Sequence, residues 1–116
     1  MSNRVALVTG GAQGIGKAIA TALAADGCRV AVADLNLTGA EQTAKEIGAA
    51  GGTAIAVEID VIRTASVESA VRAVEAALGP VEVVVNNAGW DDFMPFVQTT
   101  EEFLSLIHIS EPTRPY

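Results

Sequence analysis

Thr9-Gly10-Gly11-Ala12-Gln13-Gly14-Ile15-Gly16 stands between a short apolar run at residues 5–8 and a longer amphipathic segment at residues 15–26. A glycine-rich turn between a strand and a helix lets the backbone approach a pyrophosphate, whose charge then meets the free N–H groups of the helix N-terminus. Two well-known phosphate patterns fail here. The pattern G-x-G-x-x-G, read from Gly14, needs glycine or alanine where Ile19 stands. The pattern G-x-x-x-x-G-K-[ST] runs correctly from Gly11 to Lys17 but then meets Ala18, which has no hydroxyl for magnesium. A turn that serves only backbone geometry is the remaining plain alternative.

Working outward, short apolar runs recur at residues 30–33, 54–57 and 81–85. Continuous rather than alternating apolar runs mark strands covered on both faces. Between them lie segments of helical periodicity at residues 15–26, 38–50 and 64–78. In the first, Ile15, Ile19, Ala22 and Leu23 form the expected inward stripe, with Gly27 as the stop. In the third the stripe is Val67, Val71, Val74 and Leu78, followed by Gly79 and Pro80. Alternating strands and helices predict an α/β protein with a parallel sheet and crossover helices. The expected strand order is 3-2-1-4, the N-terminal half of a doubly wound parallel-sheet nucleotide-binding fold. Its ligand site would lie beyond strands 1 and 4, where the order reverses.

The chain's 116 residues make one domain at most. Half of them are apolar, enough to form a core. The 7 basic and 14 acidic residues give a net charge of -7, which argues against nucleic acid and anionic membranes as partners. With one cysteine, Cys28, and one histidine, His108, neither an internal disulfide nor a metal site is expected. No apolar stretch is long enough to span a bilayer and no signal-peptide pattern opens the chain, so a cytoplasmic location is expected.

Thr9-Gly10-x-x-x-Gly14-x-Gly16, together with Asn86-Asn87-Ala88-Gly89 after the fourth strand, resembles the short-chain dehydrogenase/reductase family of the classical type. Asp34 at the end of strand 2 and Asp60-Val61 after strand 3 match the same family in register. The resemblance implies a Rossmann fold and hydride transfer between a nicotinamide cofactor and a secondary alcohol or ketone, with a hydroxyacyl thioester among the candidate substrates. It implies cofactor contacts at Thr9, Gly10, Gln13, Gly14, Ile15, Gly16, Asp34, Leu35, Asp60, Val61, Asn87, Ala88 and Gly89. Asp34 would accept from the adenosine ribose hydroxyls and oppose a 2'-phosphate, and no basic residue replaces Gln13 or Leu35, so NAD is expected over NADP. Taken singly, Asp34 or Asp60 would pass for an ordinary strand-end turn residue. The asparagine motif is also expected to tie the central strand to neighbouring backbone. Trp90-Asp91-Asp92-Phe93-Met94-Pro95-Phe96 follows at the mouth of the cleft and, with that motif, resembles the bacterial branch containing 2-hydroxycyclohexanecarboxyl-CoA dehydrogenase and 3-oxoacyl-carrier-protein reductase-like proteins. Packing of Trp90 and Phe93 onto the next helix is an equal alternative.

Thr99 and Glu102 form a capping box for a fourth helix that does not develop. Residues 104–116 lose helical amphipathicity, contain Pro112 and Pro115, and resemble a translated sequencing adapter. The expected organisation is therefore a truncated NAD-binding Rossmann domain at residues 1–103 and a non-native tail at 104–116. The family's catalytic Ser, Tyr and Lys, the last two spaced Tyr-x-x-x-Lys, find no match: the tyrosine is Tyr116 and the lysines are Lys17 and Lys45. The resemblance thus implies an oxidoreductase whose isolated chain is inactive, against the alternative of a non-catalytic dinucleotide-binding module. The complete protein is expected to be a homo-oligomer. Strand 4 is expected to be an unpaired, aggregation-prone edge.

Overall fold

The computed structural model describes residues 3–12, 14–61, 63–87 and 96–98. Among them the chain runs β1 (Val5–Thr9), α1 (Gly14–Ala25), β2 (Arg29–Asp34), α2 (Leu37–Ala49), β3 (Thr53–Glu58), α3 (Thr64–Leu78), β4 (Val83–Asn86) and β5 (Phe96–Gln98). The sheet order is β3-β2-β1-β4-β5, with the first four strands parallel. This is the expected 3-2-1-4 arrangement of the N-terminal Rossmann half.

The continuous apolar runs have a direct physical reading here. Val5 and Leu7 of β1 face one core with Ala31, Ala33 and Val84, and that core is closed by Val67, Val71, Val74 and Leu78 of α3. Ala6 and Val8 face the opposite core with Val30, Val32, Val83 and Val85, closed by Ala20 and Ala24 of α1 and Ala40 and Ile47 of α2. Successive residues of a strand point to opposite faces, so a strand covered on both must be apolar at every position. Each Val or Leu so buried contributes roughly 1.5–3 kcal/mol relative to exposure. Helices α1 and α2 share one face because β1 to β2 to β3 steps in one direction, and α3 takes the other as the chain returns past β1 to β4. Cys28, just before β2, is buried at 2% exposure, and its desolvation pushes the thiol pKa up.

Three sequence expectations change. The inward face of α1 is Gly16, Ala20 and Ala24, while Ile19 and Leu23 are half-buried and Ile15 and Ala22 are exposed. Small residues face the sheet because the helix lies close against it. Strand β3 is half-buried rather than buried on both faces, since among the described strands it is the sheet's edge and pairs only with β2.

The third change concerns β4, which is not an unpaired edge. It pairs antiparallel with β5, placing Val84, Val85 and Asn86 opposite Gln98, Val97 and Phe96. An apolar strand with free N–H and C=O groups is a template for any extended segment, and the chain itself supplies one ten residues on. A chain ended at residue 95 should therefore self-associate where the 116-residue chain does not. Sedimentation of the two at equal micromolar concentration checks this, and a monomeric short chain would contradict it.

Candidate functional site

The turn from β1 to α1 crosses the end of the neighbouring strand. Gly10 and Gly14 hold φ of 68° and 64°, left-handed values that cost an ordinary residue roughly 1 kcal/mol or more. Between them the Gly11 N–H donates to the Ala33 carbonyl at 3.2 Å, anchoring the turn over β2. Gly16 then meets the turn from above. A Cβ there would overlap the Gly10 carbonyl oxygen outright and lie 2.6 Å from Asn87 Nδ2.

The end of β4 is joined to the same place. Thr9, fully buried, lies opposite Asn86 in the ladder, and its hydroxyl donates to Asn86 Oδ1 at 3.1 Å while accepting from the Asn87 N–H at 3.0 Å. The Asn87 Nδ2 donates to the Gly10 carbonyl at 3.2 Å. The asparagine motif does tie β4 to the glycine turn. Asn86 is 2% exposed, and its Nδ2 has no hydrogen-bond partner among the described residues.

On the β2 side, the Asp34 carboxylate accepts from the Ala12 N–H at 3.0 Å through Oδ2 and from the Asn36 N–H at 2.9 Å through Oδ1. Asn36 in turn caps α2, its Oδ1 accepting from the Gly39 N–H at 3.1 Å. The Asp34 carbonyl accepts from the Ile59 N–H at 3.1 Å, which brings the end of β3 alongside. Asp60 and Val61 follow at that edge, with the Asp60 N–H donating to Ser66 Oγ at 2.9 Å and Val61 packing against the α3 core. Leu35 and Ile15 are large apolar residues left 65% and 57% exposed on either side of the turn.

Thr9, Gly10, Gly14, Ile15, Gly16, Asp34, Leu35, Asp60, Val61 and Asn87 thus gather along one edge of the sheet, at the carboxyl ends of the parallel strands. Gln13, Ala88 and Gly89 lie outside the described residues, as do residues 90–95, Thr99, Glu102 and 104–116. Three residues of this edge were absent from the sequence-based set. Ala12 carries its contribution in its backbone, and Asn86 stood in the recognised motif. Thr43 left one signal, a hydroxyl inside the inward stripe of α2 formed by Ala40, Thr43 and Ile47.

The edge has the features that a dinucleotide requires. No described residue comes within 4 Å of where a Gly14 Cβ would point, so among the described residues the backbone there is open to a phosphate. The first turn of α1 carries no acidic side chain to offset its N–H groups. Each oxygen of a carboxylate has a second lone pair, so Asp34 can take a ribose hydroxyl without giving up a backbone donor. Elsewhere, a groove between the C-terminal ends of α1 and α2 is lined by Thr21, Ala24, Ala25, Ile47, Ala50, Gly51 and Gly52. None of these described residues is charged, and they lie at the opposite edge of the sheet. Across the two helices Lys17 pairs with Glu46 at 2.7 Å, and that hydrogen bond lowers the Glu46 pKa. No helix among the described residues is long and apolar enough to cross a membrane.

Residues 4–110 match the short chain dehydrogenase family model. The chain is 42% identical to a sorbitol dehydrogenase of Cereibacter sphaeroides, over 88% of this chain and 39% of that protein. It is 45% identical to an L-2,3-butanediol dehydrogenase of Corynebacterium glutamicum, over 91% of this chain and 42% of that protein. The chain therefore spans well under half the length of either relative. Among solved structures, the hydroxysteroid dehydrogenase from Escherichia coli superposes with a TM-score of 0.74 at 35% identity, covering 77% of this chain and 38% of that one. With a Rossmann half, a glycine turn at the reversal of strand order and a family match along nearly its whole length, the chain belongs to the short-chain dehydrogenase family.

Proposed function

We propose that the protein is the dinucleotide-binding part of an NAD-linked oxidoreductase acting on a secondary alcohol or ketone. The observation that carries this is the turn itself: Gly10 and Gly14 in left-handed conformations, space at Gly14 that no described residue fills, and the Asp34 carboxylate held beside it by the Ala12 N–H. The bound nicotinamide would supply or accept the hydride. The chain's own residues would do the holding: Thr9, Gly10, Gln13, Gly14, Ile15 and Gly16 along the pyrophosphate, Asp34 and Leu35 at the adenosine ribose, Asp60 and Val61 at the adenine, and Asn87, Ala88 and Gly89 beneath the nicotinamide ribose. Relatives named for sorbitol and 2,3-butanediol favour a small polar alcohol over an acyl thioester. We further propose a cytoplasmic, homo-oligomeric complete protein, a binding domain at residues 1–103 and a non-native segment at 104–116.

A general acid and base must move the hydroxyl proton as hydride leaves carbon. The family's Tyr-x-x-x-Lys pair is not among these 116 residues, so the chain should bind the cofactor and turn nothing over. The same absence favours a second reading, a module that binds a dinucleotide without using it. NADH fluorescence titration and an NAD-linked assay with sorbitol and 2,3-butanediol separate the possibilities. Saturable NADH binding with turnover at background is the expected result. No binding would sink the dinucleotide reading, and turnover by material free of host enzymes would sink the inactivity. Codons for residues 104–116 that match adapter DNA would favour the fragment over the module.

A further inference from the structure

We propose that Thr43, on α2, is a positioning residue for the dinucleotide turn, acting through Ala12; this rests on the binding reading above. Ala12 lies midway between Gly10 and Gly14 and is held at both of its backbone groups. Its N–H donates to Asp34 Oδ2 at 3.0 Å, and its carbonyl accepts from Thr43 Oγ1 at 3.2 Å.

The second contact is not the one a helical threonine makes by default. Such a hydroxyl ordinarily bonds back to a carbonyl three or four residues earlier in its own helix. Thr43 instead reaches a residue 31 positions away in sequence, and is only 1% exposed while doing so. The approach of α2 is also specific. A Cβ on Gly39 would lie 2.8 Å from the Ala12 Cβ and 2.8 Å from Asn36 Nδ2, so the bare face of Gly39 admits both the turn and the capping side chain of α2. Ala12 is thus fixed by a donor, an acceptor and a packing surface, all from β2 and α2 and none from the turn.

The consequence is for affinity as well as stability. A ligand's apparent dissociation constant rises in inverse proportion to the population of the binding-competent conformation. Removing the Thr43 hydroxyl leaves the Ala12 carbonyl without its donor. The peptide after Ala12 can then rotate to find water, and the ligand must restore it on binding.

The test uses the whole 116-residue chain, with ADP-ribose as the probe in isothermal titration and thermal melting in parallel. Thr43→Val keeps the shape and loses the hydroxyl, and should weaken ADP-ribose binding about tenfold in protein that still melts cooperatively. Thr43→Ser keeps the hydroxyl and should recover affinity to within about threefold of the parent, which a purely volumetric role for Thr43 would not allow. Should Thr43→Val not melt cooperatively, Thr43→Ala removes the same hydroxyl with a smaller side chain and should weaken binding in the same direction. Folded variants that bind ADP-ribose as tightly as the parent would overturn the role of Thr43 while leaving the binding reading intact. A parent chain that does not bind ADP-ribose would overturn both.

Discussion

Gly16→Ala should lower the thermal midpoint of the chain by roughly 8–15 °C, at about 4–8 °C per kcal/mol for a domain of this size. The new methyl group would overlap the Gly10 carbonyl oxygen and crowd Asn87 Nδ2, and the first of these is backbone that cannot swing aside. Relief requires α1 to lift from β1, which would open the contact of Ala20 and Ala24 with Ala6 and Val8. Overpacking of this kind costs typically 1–3 kcal/mol and sometimes more, with the larger values where backbone must move. Alanine's better helix propensity returns about 1 kcal/mol, so the net loss is about 2 kcal/mol. Gly48 provides the internal control: it is exposed in α2, and a Cβ added there would meet no described residue within 4 Å. Gly48→Ala should stabilise the chain by about 0.5–1 kcal/mol. Differential scanning calorimetry of the two variants checks the pair, and a Gly16→Ala midpoint within two or three degrees of the parent would refute the packing argument.

What the sequence disclosed follows from which interactions leave a periodic trace. Buried parallel strands must be apolar at each position, so residues 5–8 and 30–33 announced themselves, as did the α3 stripe of Val67, Val71, Val74 and Leu78. The face of α1 was harder to read. Hydrophobicity pointed to Ile15 and Ala22, yet close approach to the sheet selects for smallness, and Gly16, Ala20 and Ala24 turn inward instead. Strand β5 has only three residues, Phe96–Gln98, too short a run for alternation to register. The site divides in the same way. Glycines and acidic residues at strand ends are visible because few other residue types serve there. The tie from Thr43 to Ala12 is a single hydroxyl meeting a backbone carbonyl across the fold, and only the packing of α2 against the turn reveals it.

Asp34→Ala should cost the chain about 10- to 100-fold in NADH affinity while changing NADPH affinity far less, so that a parental preference for NADH collapses. A hydrogen bond to a charged acceptor contributes about 1.5–3 kcal/mol, and each 1.4 kcal/mol is tenfold in a dissociation constant. The carboxylate is well placed to realise this contribution, because the Ala12 and Asn36 N–H groups fix both oxygens before any ligand arrives. A 2'-phosphate at the same position would bring like charge toward Asp34, and removing the carboxylate would relieve that repulsion as it removed the proposed ribose acceptor. The two cofactors should therefore respond unequally to one substitution. Loss of the Ala12 contact affects both cofactors alike, since both share the pyrophosphate that the turn would hold. Asp34→Asn tests the division: it keeps an acceptor but sets an NH2 group against one of the two backbone N–H donors, and should fall between parent and alanine for NADH. The measurement is paired titration of NADH and NADPH against all three chains. Equal affinities for the two cofactors in the parent chain would show that Asp34 serves the turn alone and takes no part in choosing the cofactor.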